Sequence, residues 1–163
     1  MPSFLIHLAV AKKYLEHHAE ENAKEFYRGV IEPDLRDKST SHFGEYSSVP
    51  DLNRYYNEVG LNSSFSRGYF LHLVTDYLFY NKFLKTFSKE IYQDYDKINR
   101  RLMEEYNIDI SDVVREKIQF LEGKPQILNF DEVCKFINTV GMVELESYKK
   151  HDLHGEEVEG FGK

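Results

Sequence analysis

Apolar residues recur at helical spacing along most of this chain. The strongest pattern covers residues 64–87, where apolar side chains would surround a helix on nearly every side. A helix that is apolar all round is normally buried, and Ser63 or Ser64 offers an N-cap at its start. The pattern therefore predicts an all-α fold, a multi-helix bundle built around a long buried central helix at about 64–87.

Other helices are predicted on both sides of the central one. A first helix opens at Ser3, a good N-cap, and a short second helix opens at Asn22. Gly29 and Pro33 are expected to end this second helix and to place Asp34 on the loop that follows. The remaining predictions are a polar loop at 35–49, a short helix at 50–58, and helices at 88–106, 111–121 and 129–150.

Length and charge bound the domain organisation and the class of partner. With 163 residues the chain is long enough for one domain and too short for two. We expect a single helical domain over residues 1–154 and a frayed tail over 155–163. The net charge of -7 argues against nucleic acid as a partner, because such binding depends on clustered cations.

The chain also carries signs of its compartment. Its single cysteine, Cys134, forbids an internal disulfide and is expected to be an inert packed thiol. No apolar run is long enough to predict a transmembrane helix, and His7 and Lys12 interrupt the stretch that a secretion signal would need. These features predict a cytoplasmic protein.

The strongest candidate chemistry lies within the predicted central helix. His72 and Asp76 are one helical turn apart and therefore lie on the same face. Their neighbours are almost all apolar, so an ionised carboxylate without a partner would be strongly destabilising there. A bound metal ion and a tight His–Asp hydrogen bond would each resolve that cost, and the pair alone leaves both interpretations open.

Three more residues with metal-binding chemistry precede this pair. His7 lies among apolar residues of the first helix, Asp34 follows a proline, and His42 lies in the polar loop. Each also has an ordinary interpretation: His7 as a core histidine, Asp34 as a turn former, and His42 as an exposed loop residue.

Taken in order, these residues and their surroundings resemble the zinc-dependent phospholipase C family. That family belongs to the all-helical superfamily that also contains the S1/P1 nucleases. The resemblance covers about residues 1–85. It rests on the segments SFLIH at 3–7, YRGVIEPD at 27–34, SHF at 41–43 and GYFLHLVTD at 68–76.

The resemblance implies a centre of one or two Zn²⁺ ions, although Fe, Mn or Ni would suit the same donors. One ion would be surrounded by four side chains, and Asp76 would bridge to a second ion. The N-terminal residue, Met1 or Pro2, would complete that second ion, as it does in relatives. The implied ligands are His7, Asp34, His42, His72 and Asp76.

The chain departs from the family after Asp76. Secreted members hold a third zinc with a histidine that soon follows the His-x-x-x-Asp pair, whereas here no histidine follows Asp76 until His151. The resemblance therefore implies at most two ions, unless His151 and His154 fold back as ligands. The more ordinary interpretation of these two histidines is a solvated helix end.

By this resemblance the chain would be a metal-dependent phosphoester hydrolase, phospholipase C-like, with Asp34 as the catalytic base. Its substrate would be a small phosphate ester or a phospholipid headgroup. Arg28, Arg36 or Lys38 would hold the phosphate, unless they are simply exposed.

Two alternatives remain. The first is a non-catalytic relative whose structural or vestigial metal site supports an interaction module, which the missing third-site ligands favour. The second is an HD-type phosphohydrolase. Its adjacent His-Asp pair occurs here only at His151-Asp152, close to the end of the sequence.

Overall fold

Every regular element of the described chain is helical, and the prediction of an all-α, multi-helix bundle is confirmed. This computed structural model describes residues 3–36, 38–44, 46 and 48–148, the side chains of 38 and 39 excepted. Met1, Pro2, His151, His154 and the predicted tail lie outside the described residues. The α-helices are α1 (Phe4–His17), α2 (Ala23–Leu35), α3 (Lys38–Ser41), α4 (Leu52–Glu58), α5 (Ser64–Leu78), α6 (Glu90–Tyr106), α7 (Asp112–Arg115) and α8 (Phe130–Val140).

The central helix is α5, and all of its residues except Phe65 and Arg67 are buried. Ser63 caps it by accepting a hydrogen bond from the backbone N–H of Ser66, in a reciprocal capping box. After Leu78 the chain continues as a π-helical segment, Phe79–Phe83. The helical path thus ends a few residues earlier than the predicted 64–87.

Helices α2 and α5 approach each other unusually closely at two glycines. A Cβ atom on Gly29 would lie 2.1 Å from the carbonyl oxygen of Phe65, and one on Gly68 would lie 2.0 Å from that of Phe26. Both distances are far below van der Waals contact, so no residue with a side chain fits either position without moving a helix backbone. The two glycines are therefore required by the packing of the two helices.

This contact corrects the prediction that Gly29 and Pro33 end the second helix. Helix α2 continues to Leu35, with Gly29 and Pro33 both buried inside it. The weak helix propensity of these residues is overridden by packing against α5, even though Pro33 cannot donate a hydrogen bond to the carbonyl group of Gly29. Asp34 consequently lies in the last turn of α2, on a rigid element rather than on a loop.

The other boundaries show where sequence patterns overestimate helix length. The predicted helices at 111–121 and 129–150 shrink to α7 and α8, and a 3₁₀ turn at Leu145–Tyr148 follows α8. Between α7 and α8 the chain is held by hydrogen bonds to α6. The buried carboxylate of Asp94 accepts hydrogen bonds from three consecutive backbone N–H groups, those of Gln126, Ile127 and Leu128.

Packing around α5 encloses the core. Helix α5 contacts α1, α2 and α4, and α1 also contacts α6 and α8. Among the described helices, none is both long and apolar enough to cross a membrane.

The glycine contact predicts the effect of a single added methyl group. Gly68→Ala should lower the free energy of unfolding by about 3 kcal/mol, because the methyl group forces α2 and α5 apart. In an ordinary helix the same change would be stabilising. Urea unfolding would measure the effect, with exposed Glu104→Ala in α6 as the control. Equal stability of Gly68→Ala and the wild type would contradict the close contact.

Candidate metal centre

Five side chains from four parts of the chain meet in the interior. They come from α1, the end of α2, the turn after α3, and α5, and all of them are predicted ligands: His7, Asp34, His42, His72 and Asp76. The two carboxylate side chains are 4% and 0% exposed, and the three histidines are at most 1% exposed. His42 is therefore buried and does not lie on an exposed loop. We call this group the His/Asp cluster.

Asp76 lies at the centre of the His/Asp cluster. Its Oδ1 atom is 3.0 Å from Nε2 of His7. Its Oδ2 atom is 3.0 Å from Nε2 of His42 and 3.3 Å from Nε2 of His72. The two oxygens of one carboxylate therefore face different imidazoles.

Asp34 closes the cluster on one side. Its Oδ1 atom is 3.6 Å from Nε2 of His42 and 3.5 Å from Nε2 of His72. Within the described residues, two overlapping groups could each hold a metal ion. These groups are His7, His72 and Asp76, and Asp34, His42 and His72.

The short contacts around Asp76 are within ion-pair distance but lack the angles of hydrogen bonds. Nε2 of each of the three histidines and both oxygens of Asp76 are buried, and none of them forms a hydrogen bond with any described residue. Buried polar atoms left in this state are costly, which makes such a concentration of them unusual. Imidazole nitrogens and carboxylate oxygens that converge without bonding each other fit a shared cation, and the donor types suit Zn²⁺.

Other hydrogen bonds orient two of the imidazoles. Nδ1 of His72 donates to the carbonyl oxygen of Val30 at 2.7 Å, and Nδ1 of His42 lies 2.8 Å from the hydroxyl oxygen of Ser41. The hydroxyl of Tyr69 in turn donates to the carbonyl oxygen of Ser41. With Nδ1 engaged, Nε2 of each ring is left facing the cluster, the arrangement usual for histidines that bind metal.

The pKa shifts of the cluster residues show that added positive charge stabilises the cluster. Burial opposes ionisation of His72, but the carboxylates of Asp34 and Asp76 outweigh it and raise the pKa of His72 to about 10. Burial would raise the pKa of Asp76, yet His72 and His7 hold that pKa well below its usual value. Burial lowers the pKa of His7, and His72 lowers it further. A proton on His72 thus supplies charge that a bound dication would supply instead.

The two candidate groups share one histidine. The rings of His7 and His72 are stacked, 3.6 Å apart and only 7° from parallel. His72 belongs to both groups that could hold a metal ion, whereas His7 belongs only to the first and His42 only to the second. The five donors could therefore serve two neighbouring ion positions.

The other predicted site residues are the proposed phosphate-binding cations and Cys134. Arg28 forms an ion pair with Glu25 at 2.7 Å and lines a groove of about 800 Å³ that contains none of the five cluster residues. Arg36 donates to the hydroxyl of Tyr69 at 3.2 Å. The side chain of Lys38 lies outside the description. Burial raises the pKa of the Cys134 thiol, as expected for a packed cysteine.

The sequence did not identify the groups that orient the imidazoles. Ser41 had a signal, because it directly precedes His42, but the carbonyl group of Val30 had none. No model of a known protein family, no curated protein and no solved structure matches the chain.

The geometry predicts that the folded protein binds a metal ion, and zinc serves as the probe. Chelator-treated protein should take up one or two Zn²⁺ ions per chain, and zinc at about 100 times its Kd should raise the Tm by about 5–10 °C. His72→Ala should lose most of this stabilisation, whereas His17→Ala, which changes an exposed histidine of α1, should keep it. Elemental analysis and thermal unfolding provide the two measurements. Wild-type protein without stoichiometric metal in zinc-replete buffer would contradict the assignment.

Proposed function

We propose that this chain is a metal-dependent phosphoester hydrolase, phospholipase C-like, that uses a centre of one or two Zn²⁺ ions. The observation that carries the proposal is the His/Asp cluster itself. Three imidazole nitrogens and the oxygens of two carboxylates converge in the interior, and the Nε2 atoms and the Asp76 oxygens do so without hydrogen-bonding each other. The resemblance of residues 1–85 to the zinc-dependent phospholipase C family supports the same function.

The cluster suggests how the ligands would be shared. Asp34, His42 and His72 would hold one ion together with Oδ2 of Asp76, and His7 would hold the second with Oδ1 of Asp76. When bound, zinc supplies a Lewis acid for a phosphoryl oxygen and lowers the pKa of a coordinated water molecule.

Asp34 is the better candidate for the base that accepts a proton from the attacking water. Both oxygens of Asp76 lie within 3.3 Å of imidazole nitrogens, whereas Oδ1 of Asp34 is 3.5 Å from Nε2 of His72 and 3.6 Å from Nε2 of His42. The side chain of Asp34 is also the more exposed of the two, at 4% against 0%. It can therefore approach a bound substrate more readily than Asp76 can.

The substrate would be a small phosphate ester or a phospholipid headgroup. A net charge of -7 repels extended polyanions, but a bound dication reverses the field locally and attracts a single phosphate group. Small substrates are therefore favoured over nucleic acid.

A second candidate function is a structural metal site in a non-catalytic interaction module. The observation that favours it is the burial of the five side chains, because structural zinc sites are closed whereas catalytic sites keep an open position. Metal binding alone is compatible with both candidates. Hydrolysis by the zinc-loaded protein separates them.

Hydrolysis of a chromogenic phosphodiester, bis(p-nitrophenyl) phosphate, tests the catalytic proposal. Zinc-loaded wild type should release nitrophenol, and Asp34→Asn should lower kcat by about 10²–10⁴-fold, because the base is lost. Glu32→Gln on the same helix is the matched control and should keep its activity.

Zinc content must be measured for each variant, since Asp34 is also a proposed ligand. Wild type that binds zinc and is stabilised by it, but that hydrolyses no phosphoester, would favour the structural site and contradict the hydrolase.

A further inference from the structure

Exposed aromatic side chains gather on one surface of the described chain. Tyr46, Phe87 and Tyr92 are 62%, 54% and 51% exposed, and all three line a groove of about 520 Å³ that contains none of the five residues of the His/Asp cluster. They are three of the seven large apolar side chains that the described residues leave exposed. Single exposed apolar residues are ordinary, whereas a contiguous patch of them marks an interaction site. We call this surface the aromatic groove.

Three rings of the aromatic groove are consecutive neighbours. The centroid of the Phe87 ring lies 6.4 Å from that of Tyr80 and 6.0 Å from that of Tyr92. A polyproline II helix rises by about 3.1 Å per residue, so two of its residues span about 6.2 Å. The spacing of the rings therefore matches every second residue of an extended, polyproline-like chain.

The segment that carries Phe87 has no regular secondary structure. Residues 84–88 lie between the π-helical segment and α6, and Lys85, Thr86 and Phe87 all line the groove. The backbone N–H groups of these three residues form no hydrogen bond with another residue of the described chain. A polyproline II helix has no internal hydrogen bonds, so its carbonyl groups are free to accept from such donors.

The charge of this part of the chain is opposite to that of the whole. Residues 77–89 contain three lysines and no acidic residue, whereas the chain carries a net charge of -7. Lys85 is exposed and lines the groove, and none of the described residues that line it is acidic. The aromatic groove therefore favours a ligand with negative charge.

We propose that the aromatic groove binds an extended, proline-containing acidic peptide of a partner protein. Its prolines would lie against the rings, as polyproline II ligands do in aromatic-lined grooves. Its carboxylates would pair with Lys85, and its carbonyl groups would accept hydrogen bonds from the backbone of residues 85–87. Such a peptide is already extended before it binds, so little conformational entropy is lost. The inference adds a partner to the proposed hydrolase and does not depend on metal at the His/Asp cluster.

Two other anionic ligands fit the aromatic groove less well. Single-stranded nucleic acid combines stacking on aromatic rings with a run of cations along its backbone, but Lys85 is the single cation among the described residues that line this groove. An anionic membrane needs a continuous apolar face with several cations beside it. Here the surface is concave, and the polar side chains of Ser48, Asn81 and Thr86 form part of its wall.

A synthetic peptide of repeated Pro-Pro-Glu triplets, about nine residues long, is the probe. With about three residues per turn, its glutamates fall on one side and its prolines cover the rest. Fluorescence polarisation of the labelled peptide should show saturable binding to the chain. Replacing each glutamate with lysine reverses the charge, and replacing each proline with glycine removes the preformed helix. Each change should weaken binding by about tenfold.

Phe87→Ala tests the central ring. It should weaken binding of the glutamate peptide by about tenfold and leave the Tm unchanged, because the side chain is 54% exposed. Met142→Ala is the matched control, since Met142 is 61% exposed and does not line the groove. This variant should bind the peptide as the wild type does.

Lys85→Glu tests the charge. It should weaken binding of the glutamate peptide by about fivefold and strengthen binding of the lysine peptide. A variant that merely loses its fold would weaken both, so the reversal is specific to the groove. Lys117→Glu, which changes an exposed lysine outside the groove, should leave both affinities unchanged.

The outcomes separate this inference from the others. Peptide binding that is absent in the folded wild type, or equal in the wild type and Phe87→Ala, overturns it. Vesicles of phosphatidylserine and phosphatidylcholine, or an oligothymidylate, that bind the wild type but not Phe87→Ala while the peptide does not bind would assign the groove to that ligand and overturn it as well. The peptide should bind chelator-treated and zinc-loaded protein equally, so a chain that binds no zinc overturns the proposed function alone.

Discussion

The close approach of α2 and α5 at Gly29 and Gly68 is the contact on which the geometry of the His/Asp cluster depends. It brings the carbonyl group of Val30 within 2.7 Å of Nδ1 of His72, so a backbone atom of one helix orients an imidazole of the other. It also carries the end of α2, with Asp34, to within 3.5 Å of that imidazole. Because both positions are glycine, the two helices come close enough to set the spacing of the cluster.

Charge balance is the second constraint. Two buried carboxylates lie among three buried imidazoles, and burying ions is costly unless they are compensated. Without a cation the compensation must come from protons, which is why the pKa of His72 is raised to about 10. With a cation the same donors are satisfied together and no proton is needed. The arrangement therefore couples the electrostatics of the core to the occupancy of the site.

The sequence predicts much of this architecture. The all-apolar pattern of α5 and the caps at Ser63 and Asn22 locate helices correctly, because these signals are local. Helix ends are predicted less well: α2 passes through Gly29 and Pro33, because packing against α5, a long-range contact, overrides their local propensity.

The His/Asp cluster, too, can be predicted from local sequence signals only in part. Spacing alone pairs His72 with Asp76, but no local pattern joins His7, Asp34 and His42 to them, and only the family resemblance did so. The hydroxyls of Tyr80 and Tyr95, buried without a hydrogen bond to any described residue, have no local sequence signal, because tyrosines in an apolar helix resemble ordinary core residues.

The π-helical segment at Phe79–Phe83 has a consequence for how this chain can vary. A π-turn accommodates one more residue than an α-turn, with hydrogen bonds from residue i to i+5, as between Phe79 and Leu84. Deleting a single residue here would therefore remove the extra residue and restore α-helical pairing, while the residues before and after the turn keep their places. Such a deletion should be tolerated better at this turn than between His72 and Asp76, where it would turn one side chain about 100° away from the other around the helix axis.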